Sequence, residues 1–149
     1  MASLEEIRGA RLAKLELLRQ KGIDPYPATT ARDISNADAA KNFEELAQGG
    51  SVVMAGRIMS LRAQGKIIFF DFDDGTGRFQ ALLKNGEPLP EEQFELFEQT
   101  FDMGDFVEIR GTLFLTKNGQ QTILAEEVKM LSKSLLPLPE KWHGLSDVE

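Results

Sequence analysis

Between residues 51 and 131 the chain alternates apolar and polar residues in short runs, broken at one place by a helical stretch. This order restricts the fold more than any other feature. Val52 to Leu61, Lys66 to Phe72 and Arg78 to Leu83 carry the period-two pattern of half-buried strands, and DDGTG separates the last two as a turn. LPEEQFELFEQTF then sets Phe94, Phe97 and Phe101 on one helical face, with Pro90 near the first turn, where its missing N–H costs nothing. Phe106 to Leu115 and about Gln121 to Leu131 follow as two more strands, joined by the hairpin signal Asn118-Gly119. Three strands, a helix and two strands is the order of a five-stranded OB-fold Greek-key barrel, whose open face commonly binds oligonucleotides. The expected class is therefore mainly β, with a helix between strands three and four and a helical extension ahead of the barrel.

That extension begins with Ser3 and Glu6, spaced as a capping box. Leu4, Ile7, Leu12, Leu15 and Leu18 recur at helical spacing until Gly22 supplies a stop. The opposite face carries Arg8, Arg11, Lys14, Arg19 and Lys21 and is expected to be solvated. Each residue before a proline is pushed out of the α region, so IDPYP (Ile23 to Pro27) is extended. A second short helix is expected from about Asn36 to Gln48, closed by Gly49-Gly50. The expected division is residues 1–50 as the extension, 51–133 as the barrel and 134–149 as a proline-punctuated connector.

The hairpin across DDGTG carries the chemistry. Ile68, Phe70 and Phe72 form one alternating set and Phe79 and Ala81 another, and only an odd-sum pairing brings both to one face. Pairing Phe72 with Gly77 does so. It sets Phe70 opposite Phe79 inside, and outside it sets Phe69 opposite Gln80 and Asp71 opposite Arg78. An outward phenylalanine is a platform on which a nucleobase stacks, and a neighbouring amide hydrogen-bonds the base edge. Arg57, Arg62 and Lys66 are near in sequence and are candidates for phosphate or base contacts. A Phe69 covered by other parts of the chain, with its basic neighbours merely solvated, is the competing expectation.

Composition narrows the remaining classes. A formal charge of -7 argues in bulk against a nucleic-acid partner. Its distribution does not: residues 87–105 hold seven acids and no base, whereas 51–86 hold five bases and three acids. The acidic helix is expected to point away from bound RNA. With no cysteine and a lone His143 there is no thiolate or histidine metal cluster, and no residue pair suggests nucleophilic or acid–base catalysis. Asp71, Asp73 and Asp74 miss the calcium-loop spacing, with Thr76 and Leu82 where glycine and glutamate are required, and read as a turn with solvated acids. Gly75-Thr76-Gly77 lacks the ending of a phosphate loop. Trp142 and His143 read as an anchor against a neighbouring domain. No apolar run reaches the roughly 20 residues of a membrane span, so no membrane partner is expected, and a soluble, cytoplasmic protein is.

Three blocks, RLAKLELLRQKGIDPYP (Arg11 to Pro27), AGRIMSLRAQGKIIFFDFDDGTGRFQ (Ala55 to Gln80) and LPLPEKWHGLSDVE (Leu136 to Glu149), together resemble the N-terminal anticodon-binding region of bacterial class II lysyl-tRNA synthetase. The resemblance implies that Phe69 stacks the central uridine of the lysine tRNA anticodon, that Gln80 reads its edge, and that Arg62 stands beside it. Gln120 occupies the place after the Asn118-Gly119 turn where the family typically has an acidic residue, so a role resting on carboxylate charge is in question there. The resemblance further implies a parent enzyme, a homodimer, that attaches lysine to tRNA with ATP and magnesium. It also implies a catalytic domain that this chain lacks, so that the fragment itself binds no cofactor and catalyses nothing. A stand-alone OB-fold module that binds single-stranded nucleic acid or another protein is the alternative.

Overall fold

The computed structural model describes residues 3–27 and 30–136. Nine elements follow in order: α1 (Leu4–Gln20), α2 (Asn36–Lys41), α3 (Phe43–Ala47), β1 (Val52–Gln64), β2 (Ile67–Asp73), β3 (Arg78–Lys84), α4 (Glu91–Thr100), β4 (Phe106–Leu115) and β5 (Gln121–Ser132). The strands close into a barrel in the order β1-β2-β3-β5-β4. Every pairing is antiparallel except β3 with β5, which run parallel and shut the ring. Closure removes the open strand edges that would otherwise invite aggregation.

Alternation builds the core. Ile68, Phe70 and Phe72 of β2 point inward beside Phe79, Ala81 and Leu83 of β3, and meet Val107, Ile109, Ile123 and Ala125 from the far wall. The amphipathic α4 plugs one end of the barrel. Its Phe97 is buried and stacks on Phe70 at 5.4 Å and on Phe101 at 4.5 Å, contacts worth about 0.5–1.5 kcal/mol each beyond area burial. Phe70 and Phe69 project from opposite faces of β2, so α4 and its glutamates lie on the side of the strand away from Phe69.

Four expectations are corrected. The register of the β2–β3 hairpin pairs Phe72 with Phe79, not with Gly77. The parity is as expected, so every side chain keeps its face, but each partner moves by two residues. The loop itself causes the shift. Asp74 Oδ1 accepts from the Thr76 amide and hydroxyl, and the Asp74 amide donates to Gly77 O, so residues 74–77 form the turn and Asp73 pairs with Arg78. Asp74 is also not solvated, its side chain being 3% exposed.

The second helix is two short ones. Asn42 ends α2 and caps α3 in a non-helical conformation, φ -105° and ψ 26°. Finally, the basic face of α1 is solvated only in part: Arg8, Arg19 and Lys21 are exposed, but Arg11 and Lys14 are drawn into contacts. The capping box at Ser3 and Glu6 and the left-handed Gly22 (φ 77°) are present, yet Leu4 and Leu12 are exposed and Arg11 is buried. Lys14 Nζ lies 2.6 Å from Asp102, and Arg11 Nη1 donates to Leu136 O at 3.0 Å. Lys133, fully buried, sits 2.8 Å from both Asp102 and Asp105. This ion cluster fastens α1 to the loop before β4 and to the chain leaving β5. Of the expected connector, residues 137–149 with Trp142 and His143 lie outside the described residues.

Candidate nucleic-acid interface

The outward faces of β1, β2 and β3 form one surface because β1 carries a bulge. Ile58 pairs with Phe72 and points inward, and Ser60 pairs with Asp71 and points outward, Met59 being the inserted residue. Beyond the bulge, Arg62 is the cross-strand partner of Phe69. Its guanidinium stands 5.6 Å from the ring centroid, within cation–π range. Phe69 is half-buried and Arg62 exposed. β1 continues to Gln64, three residues further than expected, because Gly65 takes the positive φ (61°) that a two-residue hairpin turn requires.

The corrected register moves Gln80. Its partner across the ladder is Asp71, and Phe69 faces Leu82, so ring and amide are diagonal neighbours with Cβ atoms about 7 Å apart. That spacing still lets one base lie on the ring and meet the amide with its edge. Gln80 is 8% exposed, and its Oε1 accepts from the buried hydroxyl of Thr122 at 2.9 Å. Asp71 is held in turn by Ser60 Oγ, which donates to Oδ2 at 2.9 Å.

The other sequence candidates are distributed around this triad. Lys66 is exposed in the β1–β2 turn, at the end of the hairpin beyond Phe69. Gln120 is exposed in the β4–β5 turn, and its carbonyl accepts from Thr116 N and lies 3.1 Å from Thr122 Oγ1, so the turn touches the hydroxyl that reaches Gln80. Arg57 is not brought to Phe69. It stacks 4.7 Å over Phe106 in the middle of β1, before the bulge, its buried Nε without a partner, beside a cleft of about 590 Å³ shared with Arg32, Asp73 and Asp74. Burial pushes the Asp74 carboxyl up, but hydrogen bonds from Thr76 and Asn36 and the charge of Arg32 outweigh it and hold the group below the usual carboxylate range. Asp74 is a structural anion that ties the turn to α2. Thr122 and Ser60 escaped the sequence reading. The Thr122 contact depends on the parallel β3–β5 pairing, which no local pattern announces, and Ser60 depends on the bulge.

Among the described residues no three His, Asp or Glu side chains converge on a cation site, and no helix is long and apolar enough to cross a membrane. The family model for tRNA anticodon domains, described as an OB-fold nucleic acid binding domain, matches residues 52–131. The chain belongs to this OB-fold family. The matched span covers β1 through β5, so every residue of the outward triad and its Thr122 support lies inside it.

Curated relatives are more specific. The chain is 42% identical over 142 residues to lysine–tRNA ligase 2 of Methanosarcina mazei, a match covering 94% of the chain and 28% of that protein. It is 40% identical over 152 residues to the lysine–tRNA ligase of Thermotoga maritima, covering 98% and 30%. Against the lysine–tRNA ligase of Pelotomaculum thermopropionicum it is 45% identical over 146 residues, covering 98% and 28%. The chain thus spans less than a third of the length of the curated relatives it matches, and the resemblance read from its three sequence blocks holds along nearly all of it.

Proposed function

We propose that this OB-fold domain binds the anticodon loop of lysine tRNA, with a base stacked on Phe69, its edge hydrogen-bonded by Gln80, and Arg62 beside it. The observation that carries this reading is the exposed Arg62 guanidinium over the outward ring of Phe69, on the same barrel face as the anchored Gln80 amide. Lys66 would meet the backbone from the hairpin end, and Gln120 from the β4–β5 turn. Arg57 lies apart from the triad and would meet only nucleotides flanking the anticodon. Residues 1–50, 51–133 and 134–149 would serve as extension, binding domain and connector.

The whole protein, by likeness to its relatives, would be a class II lysine–tRNA ligase that attaches lysine to tRNA in the cytoplasm as a homodimer. ATP and magnesium would belong to that activity. The described residues offer no donor cluster for the cation, and no chemical step is assigned to them.

The test is the affinity of the chain for a lysine anticodon stem-loop before and after Phe69→Ala. Loss of one stacked base predicts weakening of about five- to a hundredfold with the melting curve unchanged. An unchanged affinity would remove the stacking role, and equal binding of any pyrimidine strand would make the domain a general single-strand binder.

A further inference from the structure

We infer that Thr122 sets the orientation of the Gln80 amide, so that the face meets a base with a hydrogen-bond donor and thereby favours a carbonyl-bearing edge. The inference rests on the base-binding reading above, with its uridine, and adds to it the residue that fixes which end of the Gln80 amide does the reading.

Thr122 is fully buried and is the neighbour of Gln80 where β3 and β5 run parallel. Its hydroxyl has one proton and two acceptors in reach, Gln80 Oε1 at 2.9 Å and Gln120 O at 3.1 Å. Gln120 O already receives the Thr116 amide at 3.0 Å. Gln80 Oε1 has no second donor among the described residues, in a side chain that is almost wholly buried. With Oε1 turned to the hydroxyl, as it stands in the structure, giving the proton to Gln80 leaves no acceptor bare, whereas giving it to Gln120 leaves Oε1 unpaired, which is the costlier arrangement. With Oε1 committed to Thr122, Nε2 is the end of the amide left for a ligand.

The consequence is a matter of polarity. Nε2 carries two donors and no acceptor, and the guanidinium of Arg62 likewise only donates. A base edge rich in carbonyl oxygens, as uracil presents at O2 and O4, satisfies such a face. The exocyclic amine of cytosine or adenine would set donor against donor, and that mismatch is a selective element in its own right. Thr122 touches no base in this arrangement; it is a positioning residue.

The experiment compares two anticodon stem-loops, identical except for uracil or cytosine at the middle position, against the unaltered chain, Thr122→Val and Thr122→Ser. The unaltered chain and the serine variant should prefer uracil. The valine variant, isosteric but unable to donate, should lose about fivefold of that preference, the worth of one orienting hydrogen bond. A valine variant that keeps the full preference would overturn the role of Thr122 and leave the base-binding reading standing. An unaltered chain that binds both loops equally would overturn both. Should valine disturb the β3–β5 contact, the unaltered chain still decides the matter through the side-chain NH2 signals of Gln80 in nitrogen-15 spectra. They should shift with the uracil loop and not with the cytosine loop, and identical spectra would overturn the inference.

Discussion

Replacing Lys133 by methionine removes the charge at the centre of the cluster that joins α1 to the barrel. Lys133 is fully buried and its ammonium lies 2.8 Å from Asp102 and 2.8 Å from Asp105. The two carboxylates do not suffer equally. Asp102 keeps Lys14 at 2.6 Å and Arg11 at 3.9 Å, and is partly exposed. Asp105 is fully buried and would keep only the amides of Asp102 and Ser134, both at 2.7 Å. Breaking a buried pair from one side costs about 3–5 kcal/mol, and the two amides place this case near about 3 kcal/mol, or a fall of roughly 6–12 °C in Tm.

The pH dependence follows from the same geometry. Burial raises the Asp102 carboxyl, but Lys133 and Lys14 outweigh it and hold the group below 3.8, so its contribution is present above that value and lost as pH falls through the lower one. Burial dominates at Asp105 despite Lys133, and its carboxyl lies above 3.8. A raised carboxyl favours folding most at low pH and loses that contribution as pH rises through the raised value. Without Lys133 the burial at Asp105 is opposed only by two amides, so the deficit of Lys133→Met should be largest near neutrality and shrink toward pH 4. Urea titrations of both proteins across this range read it directly. Adding Asp105→Asn should recover part of the loss at pH 7. A deficit below about 1 kcal/mol at neutral pH, or one that grows on acidification, would refute the reasoning.

Two further outcomes are expected. Arg62→Ala should weaken binding of the anticodon stem-loop and lower the slope of log affinity against log salt by about 0.7–1 if the guanidinium also meets a phosphate; an unchanged slope would confine Arg62 to the ring and base. Gly111→Ala should destabilise the barrel by about 1–3 kcal/mol in urea, because a Cβ there meets the Leu124 carbonyl at the β4–β5 bulge, and a neutral effect would mean that the ladder shifts freely.

What could be read without coordinates was what repeats locally. Alternation fixed the faces of Phe69, Phe70 and Phe72, and the spacing of Phe94 and Phe97 identified the plug. Register depended on Asp74, whose side chain folds back on Thr76 and so decides which four residues form the turn; composition marks a turn there but not its boundaries. Arg11 shows a second limit. Helical periodicity placed it on a polar face, and it takes partners far along the chain, Asp102, Ser134 and the carbonyl of Leu136, to make burial there favourable. Thr122 shows a third, since the contact that orients Gln80 joins residues 42 positions apart through a parallel pairing.

The central claim is that the β1–β2–β3 face receives an anticodon loop while the acidic helix stays clear of it. Mapping the bound RNA on the chain by nitrogen-15 chemical shifts during titration with a lysine anticodon stem-loop tests this most directly. Shifts should concentrate at Arg62, Phe69, Gln80 and the Gln120 turn, and leave Glu91, Glu92 and Glu95 unmoved. Shifts centred on α4 or α1, with the Phe69 face silent, would contradict it.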